Sequence, residues 1–203
     1  KVTHFAIAQS YHIDDFFFTI DDAKSHFQSQ SSKQSNTLLL SNTGILDDCL
    51  PENESGILSR IIEAKKNEGT FRVATGIRYT KAEFDFYPTH LPYANGSKPP
   101  KLTWNSGGHI EVDALATSDS LNRVWVIEAK NKQEEVFKGQ IAFSYMAVHQ
   151  RLQQKIKNKS LRPEIIPVIV LADTTHAYLC YCDWDPNSAV TEMKINEVQR
   201  AKL

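Results

Sequence analysis

Residues 107–131 read GGHIEVDALATSDSLNRVWVIEAKN, and this stretch decides the fold class. Two apolar runs, Ile110 to Ala116 and Val124 to Lys130, flank a short polar segment, which predicts two β-strands joined by a loop. A strand as apolar as V-W-V-I is normally buried on both faces. Ionised groups are costly there unless they are paired or bind a metal, so Asp113, Glu128 and Lys130 require an explanation.

Strand geometry places these charged side chains together. Side chains alternate along a strand, so Glu128 and Lys130 point to one face while Ala129 points to the other. Two carboxylates and a lysine that converge at strand ends favour a site for a hard divalent cation. The alternative is a solvent-facing ion pair of Glu128 with Lys130, worth under about 1 kcal/mol, with Asp113 accepting hydrogen bonds from a turn.

Asp113 followed by Glu128-x-Lys130 resembles the active-site signature of the PD-(D/E)XK nuclease superfamily, whose fold the restriction endonucleases share. E-V-D-A-L-A followed by V-W-V-I-E-A-K-N is similar to the Holliday-junction-resolvase and RecB-type branch. The resemblance covers roughly residues 55–182, with Val112 where a proline usually precedes the aspartate. It implies a metal-dependent DNA endonuclease that hydrolyses phosphodiester bonds in restriction, defence, repair or mobile-element processing.

The resemblance also implies roles for individual residues. Asp113, Glu128 and the backbone carbonyl of Ala129 would bind Mg²⁺ or Mn²⁺, which activates a water and polarises the phosphate. Lys130 would hydrogen-bond the attacking water. Many relatives carry a further acid on the first helix, and Glu63 is our candidate. The accessory candidates are Glu111, Lys138 and Gln140; RecB-type enzymes have a tyrosine four residues after the glutamine, whereas here Ser144 stands there and Tyr145 follows.

The rest of the pattern predicts an α/β protein. A helix begins near Pro51 and ends at Gly69, and a strand follows from Phe71 to Tyr79. After the two motif strands comes a helix that runs to about Asn158, then two more strands. This order is the α-β-β-β-α-β core, a mixed sheet flanked by helices, and its match to the restriction-endonuclease-like fold rests on the resemblance. The later elements are a helical stripe of Phe137, Ile141, Tyr145, Val148 and Leu152, and strands from Ile165 to Leu171 and from Ala177 to Cys182.

Two segments are candidates for DNA contact, each with a plain alternative. Residues 81–106 form a long connection whose aromatic and lysine side chains either stack on and attract a DNA strand or pack the loop onto the domain. The second helix ends in a basic cluster that either meets phosphates or forms a solvated face. The cluster consists of Arg151, Lys155, Lys157, Lys159 and Arg162.

Composition sets wide limits. With 203 residues, 41% hydrophobic and 23% charged, the chain has the composition of a globular domain. Its net charge of −1 argues against a protein that binds nucleic acid over its whole surface, although local charged patches decide DNA binding. We divide the chain into residues 1–50, an N-terminal extension or small subdomain, and residues 51–203, the nuclease-like core. The chain begins with Lys1, so we expect a processed or excised piece of a longer protein.

Cysteine usage and hydropathy bear on the compartment. Cys180 and Cys182 lie two apart in an apolar strand, which predicts core positions, and three cysteines without a framework indicate a reducing compartment. The apolar run at 16–20 is too short to span a bilayer, and no signal peptide is visible. We therefore expect an intracellular protein, cytoplasmic or, in a eukaryote, nuclear, with DNA and no membrane as partners.

Three functional hypotheses follow. The chain is a DNA endonuclease, a nuclease-fold module that binds DNA or protein without cutting, or an unrelated α/β protein in which the motif is a coincidence. The intact set of Asp113, Glu128 and Lys130 favours the first hypothesis. The family commonly dimerises so that two sites cut two strands, but the sequence carries no interface signature, and a homodimer stays an open alternative.

Overall fold

The architecture was obtained from a computed structural model, which describes residues 13–30, 37–40, 53–68, 72–90, 92, 96–99, 101–105, 109–118, 122–130, 135–158, 160 and 162–203. The described helices are α1 (Ile20–Ser29), α2 (Glu54–Glu68) and α3 (Lys138–Lys155), with short 3₁₀ turns at Ile13–Phe16 and Val190–Glu192. The strands are β1 (Phe17–Phe18), β2 (Thr37–Leu38), β3 (Arg72–Thr80), β4 (Glu83–Phe86), β5 (Leu102–Asn105), β6 (His109–Ser118), β7 (Arg123–Lys130), β8 (Val136–Phe137), β9 (Glu164–Ala172), β10 (His176–Asp183) and β11 (Lys194–Lys202).

The main sheet is mixed. In the described part of the chain its seven strands lie in the order β2-β11-β10-β9-β7-β6-β3. The pairs β3/β6, β6/β7, β9/β10 and β10/β11 are antiparallel, whereas β7/β9 and β11/β2 are parallel. The α/β class and the mixed sheet flanked by helices are therefore confirmed.

Two hydrophobic cores lie on opposite faces of this sheet. One lies under α1 and α3 and includes Phe27, Ile141 and Val126. The other lies under α2 and includes Ile61 and Trp125. Alternating side chains of β7 enter the two cores in turn, which explains why this strand is apolar along its whole length.

Both core helices follow the predicted periodicity. Leu58, Ile61 and Ile62 of α2 are buried, and α2 is capped by Asn53, whose side chain accepts the backbone N–H of Gly56 at 3.1 Å. On α3, Ile141, Tyr145 and Val148 are buried and Leu152 is half-buried against the core. Phe137 was wrongly included in this stripe: it precedes the helix, its side chain is 41% exposed, and its ring lies 5.6 Å from that of Phe17.

The segment predicted as a long loop at 81–106 contains an antiparallel pair, β4 and β5. Its aromatic side chains Phe84, Phe86 and Trp104 surround Phe143 of α3 at ring-centroid distances of 4.8 to 5.9 Å. Lys101 pairs with Asp85 at 2.8 Å. For these residues packing onto the domain is the correct alternative; Tyr93 lies outside the described residues.

The described part of residues 1–50 also contacts the sheet. Thr19 and Asp22 form a capping box at the start of α1, and α1 packs on β10 and β11. Strand β2 pairs with β11 at the edge of the main sheet. Strand β11 itself was not predicted. Cys180 and Cys182 are buried in the core under α1 and α3, as the sequence predicted, and Cys49 lies outside the described residues.

Candidate active site

Asp113 lies where β6 changes the face that it buries. Val112 belongs to the core under α3, whereas Ala114 belongs to the core under α2, so the alternation is interrupted between them. The register with β3 places Gly76 opposite Asp113, and Gly76 has φ 60°, a left-handed conformation that favours glycine. The left-handed backbone of Gly76 therefore accompanies the change of buried face at Asp113.

The carboxylate of Asp113 is fixed by β7. The pairing of β6 with β7 ends at Ala114 and Ile127. Beyond this last pair, the backbone N–H of Ala129 on β7 donates to Asp113 Oδ2 on β6 at 2.8 Å. Among the described residues, Oδ1 of Asp113 has no hydrogen-bond partner. Asp113 therefore has one oxygen bound within the strand pair and, among the described residues, one oxygen without a hydrogen bond.

Glu128 is the most deeply buried acidic group of the described chain, with 0% exposure. Two side chains of α3 hold its carboxylate: Ser144 Oγ donates to Oε1 at 2.6 Å, and Gln140 Nε2 donates to Oε2 at 2.9 Å. The residues from Gln140 to Ser144 span one helical turn, so both side chains reach the same strand residue. Each carboxylate oxygen has a second lone pair, which these bonds do not use.

Burial raises the pKa of Glu128 from its ordinary value of 4.5 to about 8. The neighbouring charge of Asp113 raises it further, while the hydrogen bonds from Ser144 and Gln140 and the positive charge of Lys130 lower it. Asp113 and Lys130 therefore each lie within electrostatic reach of Glu128. Asp113 also accepts the backbone N–H of Ala129, the residue between Glu128 and Lys130. The structure therefore brings together the three residues of the motif.

Lys130 is held by a residue that the sequence analysis did not select. Its ammonium lies 3.4 Å from Glu54 Oε2, and the two side chains are 21% and 38% exposed. Glu54 is the first residue of α2, where the helix dipole also stabilises a carboxylate. Its first-turn position was visible in the sequence, but nothing local indicated that the start of α2, instead of its middle, faces β7.

Three expected participants lie elsewhere. Glu63, our candidate for the helix acid, is exposed and pairs with Lys66 at 3.3 Å, so the acid on α2 that contacts the motif is Glu54. Lys138 donates to the backbone of Thr191 at 3.3 Å and lies over the ring of Phe18 at 4.6 Å. Glu111 is exposed and pairs with Arg78 at 3.3 Å, not with Lys130.

Gln140 contacts Glu128, and Ser144 is, after Glu54, a second contacting residue that the sequence analysis did not select. Ser144 is fully buried and makes the shortest hydrogen bond of the cluster. Its four-residue spacing from Gln140 was the available signal, but a serine there departs from the family pattern. Tyr145 instead packs edge-on against Trp184 at 5.4 Å, in the core.

The basic cluster after the middle of α3 divides into different environments. Arg162 donates to the carbonyls of Ile156 at 3.3 Å and Gln153 at 3.5 Å, so it caps the end of α3 and is not a free cation. Arg151, Lys155 and Lys157 are exposed. Lys159 lies outside the described residues.

The acidic cluster of Asp113 and Glu128 offers few protein ligands to a divalent cation. Within the described ranges, no group of three or more His, Cys, Asp or Glu side chains could hold a metal ion. Mg²⁺, however, keeps several waters and commonly takes only one or two protein carboxylates together with substrate phosphate. The free Oδ1 of Asp113, the spare lone pairs of Glu128 and the repulsion between these two acids fit such a water-rich site.

Among the described residues, no helix is long and apolar enough to cross a membrane. No family model, curated protein or solved structure matches this chain. Any assignment of function therefore depends on the motif and on the geometry given above.

Proposed function

We propose that this protein is a metal-dependent nuclease of the PD-(D/E)XK type, with a restriction-endonuclease-like core, that hydrolyses phosphodiester bonds in DNA. The observation that supports it most is the fully buried Glu128, held by Ser144 and Gln140 beside Asp113. A buried carboxylate next to a second one is destabilising for the fold, and such an arrangement is typical of functional sites.

Each residue has a chemical task in this proposal. Asp113 and Glu128, with the Ala129 carbonyl, hold a divalent cation; when bound, this cation supplies positive charge for the phosphate and a water of lowered pKa. Lys130 donates a hydrogen bond from Nζ to the attacking water or to a phosphate oxygen. Glu54 orients the Lys130 ammonium, while Ser144 and Gln140 fix the rotamer of Glu128.

A DNA- or protein-binding module without cleavage is the second candidate. It is favoured because the charged side chains of the cluster already have protein partners. Glu128 accepts a hydrogen bond on each oxygen, Asp113 accepts one on Oδ2, and Lys130 is paired with Glu54. In that case the cluster is a buried polar network that fixes the packing of α2 and α3 on the sheet.

Cleavage of supercoiled plasmid distinguishes the two candidates. The purified protein is incubated with plasmid and Mg²⁺ or Mn²⁺, with EDTA in a parallel reaction, and nicked and linear products are quantified. We expect cleavage only with the cation, and its abolition in Asp113→Ala. Glu63→Gln is the matched control, because it neutralises an exposed acid away from the cluster. Wild-type cleavage by Asp113→Ala would refute the assigned mechanism, and binding without cutting in every cation would favour the second candidate.

A further inference from the structure

A polar cavity of about 330 Å³ lies outside the acidic cluster, between the end of β3 and the second half of α3. Its lining carries three cationic side chains: Arg78, Lys81 and Arg151. The small side chains of Ala82 and Ala147 also line it and leave the space open. The proposed catalytic residues do not line this cavity.

The charge balance of this cavity favours an anion. Arg78 is partly neutralised by Glu111 at 3.3 Å, and both of these side chains are at least half exposed. Within the described chain, Lys81 and Arg151 have no carboxylate partner. Tyr79 adds a hydroxyl: burial raises its pKa, and the positive charge of Arg151 lowers it, which places Arg151 near the phenol. Two uncompensated cations and a phenol donor are the chemistry that recognises phosphate.

The wall of the cavity is fixed by backbone contacts. The turn between β3 and β4 has Lys81 at φ 61°, a conformation uncommon for a residue with a side chain. Gln150 of α3 holds this turn through Glu83: its Oε1 accepts the backbone N–H at 3.3 Å, and its Nε2 donates to the carbonyl at 2.6 Å. The two hydrogen bonds between Gln150 and Glu83 join the turn to α3, and so hold Lys81 and Arg151 at the same cavity in the absence of a ligand.

The cavity and the acidic cluster lie at successive positions along β3 and α3. Arg78 and Thr80 follow Gly76, the residue opposite Asp113, by two and four positions, which is roughly 7 to 13 Å along a strand. Ala147 and Arg151 follow Ser144 on α3 by roughly 5 to 10 Å. With a rise of about 3.4 Å for each nucleotide of one strand, the cavity lies about two to four nucleotides from the cluster.

We infer that this cavity binds a backbone phosphate of the DNA strand whose scissile phosphodiester lies at Asp113 and Glu128. The inference rests on the proposed function, since it names the position of a neighbouring phosphate on the same substrate. Arg151 and Lys81 bind this phosphate and set the register of the strand across the site. They do not contact the reacting atoms.

The test compares Arg151→Gln, Lys81→Gln and the double variant with Lys202→Gln, a control that removes the same charge from an exposed position on β11, with four strands between β11 and β3. All four are made in an Asp113→Asn background, and binding of a fluorescent 20-base-pair duplex is followed by anisotropy between about 50 and 200 mM salt in Mg²⁺. We expect each cavity variant to weaken binding about threefold or more and to lower the salt slope of log K by about 0.9, with no change for Lys202→Gln.

The same substitutions are then made in the active protein, and inorganic phosphate is tested as a competitor. Cleavage is expected to fall at low DNA concentration and to recover at saturation. Unchanged affinity and salt slope in the cavity variants would overturn the inference while leaving the nuclease proposal intact. An equal loss in Lys202→Gln would also overturn it, because it would indicate diffuse surface charge. If the cavity variants show weaker competition by phosphate but unchanged DNA binding, the cavity is a site for a free anion and the inference is wrong. If the parent protein does not bind DNA, both proposals are refuted.

Discussion

Glu128→Gln offers the most direct test of how the site is built. The substitution removes the ionisable group and preserves its shape. Its partners can adapt, because the Ser144 hydroxyl can accept a hydrogen bond and the Gln140 amide can turn over. In the metal-free protein the variant should therefore fold as the wild type does at low pH, where Glu128 is protonated.

The magnitude follows from the pKa of Glu128. In the unfolded chain this carboxyl ionises near 4.5 and in the folded chain near 8. Between these values the folded state holds one more proton than the unfolded state, so this group makes the free energy of unfolding decrease as pH rises. The slope is about 1.4 kcal/mol for each pH unit, and the total is on the order of 5 kcal/mol.

Chemical denaturation of metal-free wild type and Glu128→Gln from about pH 5 to 8.5 measures this difference. The stability of the variant relative to the wild type should increase steadily across that range. Burial and the charge of Arg162 lower the pKa of His149, so this residue makes the free energy of unfolding increase as pH rises toward about 6.5. This contribution is common to both proteins and cancels in their difference. Glu63→Gln, an exposed acid, serves as the matched control and should follow the wild type.

Parallel pH profiles for wild type and Glu128→Gln would refute the reasoning. They would mean that Glu128 ionises in the folded chain as easily as in the unfolded chain, which its full burial does not permit. A divalent cation adds a second check, since it favours the ionised carboxylate. At pH 8, Mg²⁺ should raise the Tm of the wild type and leave that of Glu128→Gln unchanged.

Three further changes test the surroundings of the site. Ser144→Ala removes the 2.6 Å hydrogen bond to Glu128 and should cost about 1 to 3 kcal/mol in urea unfolding at pH 8 but less at pH 5; equal costs at both pH values would contradict this role. Glu54→Gln should reduce plasmid cleavage by freeing Lys130 while leaving urea stability within about 1 kcal/mol, and unchanged cleavage would exclude a positioning role. Phe143→Ala empties the aromatic cluster of the β4/β5 pair and should cost about 3 kcal/mol in urea unfolding, whereas a loss below about 1 kcal/mol would show that the pair does not depend on it.

The sequence was sufficient for the main elements of the fold. The stripe of α3, apart from Phe137, and the apolar runs of β6, β7, β9 and β10 matched the structure to within a few residues. The pair β4 and β5 and the last strand β11 were not predicted. Periodicity succeeds here because burial of one helical stripe, or of both strand faces, acts on residues close together in the chain. The same argument predicted that Glu128 and Lys130 share one face of β7, whereas in the structure Glu128 contacts α3 and Lys130 contacts Glu54 of α2.

The partners of the motif were decided by the tertiary structure. Glu54 and Glu63 lie on the same helix, and only the packing of α2 across the sheet brings Glu54 to Lys130. Lys138 and Gln140 are two residues apart on α3, yet a rotation of about 200° around the helix sends one to Phe18 and the other to Glu128. These choices depend on the crossing angle and axial position of each helix, which arise from contacts between segments far apart in the chain.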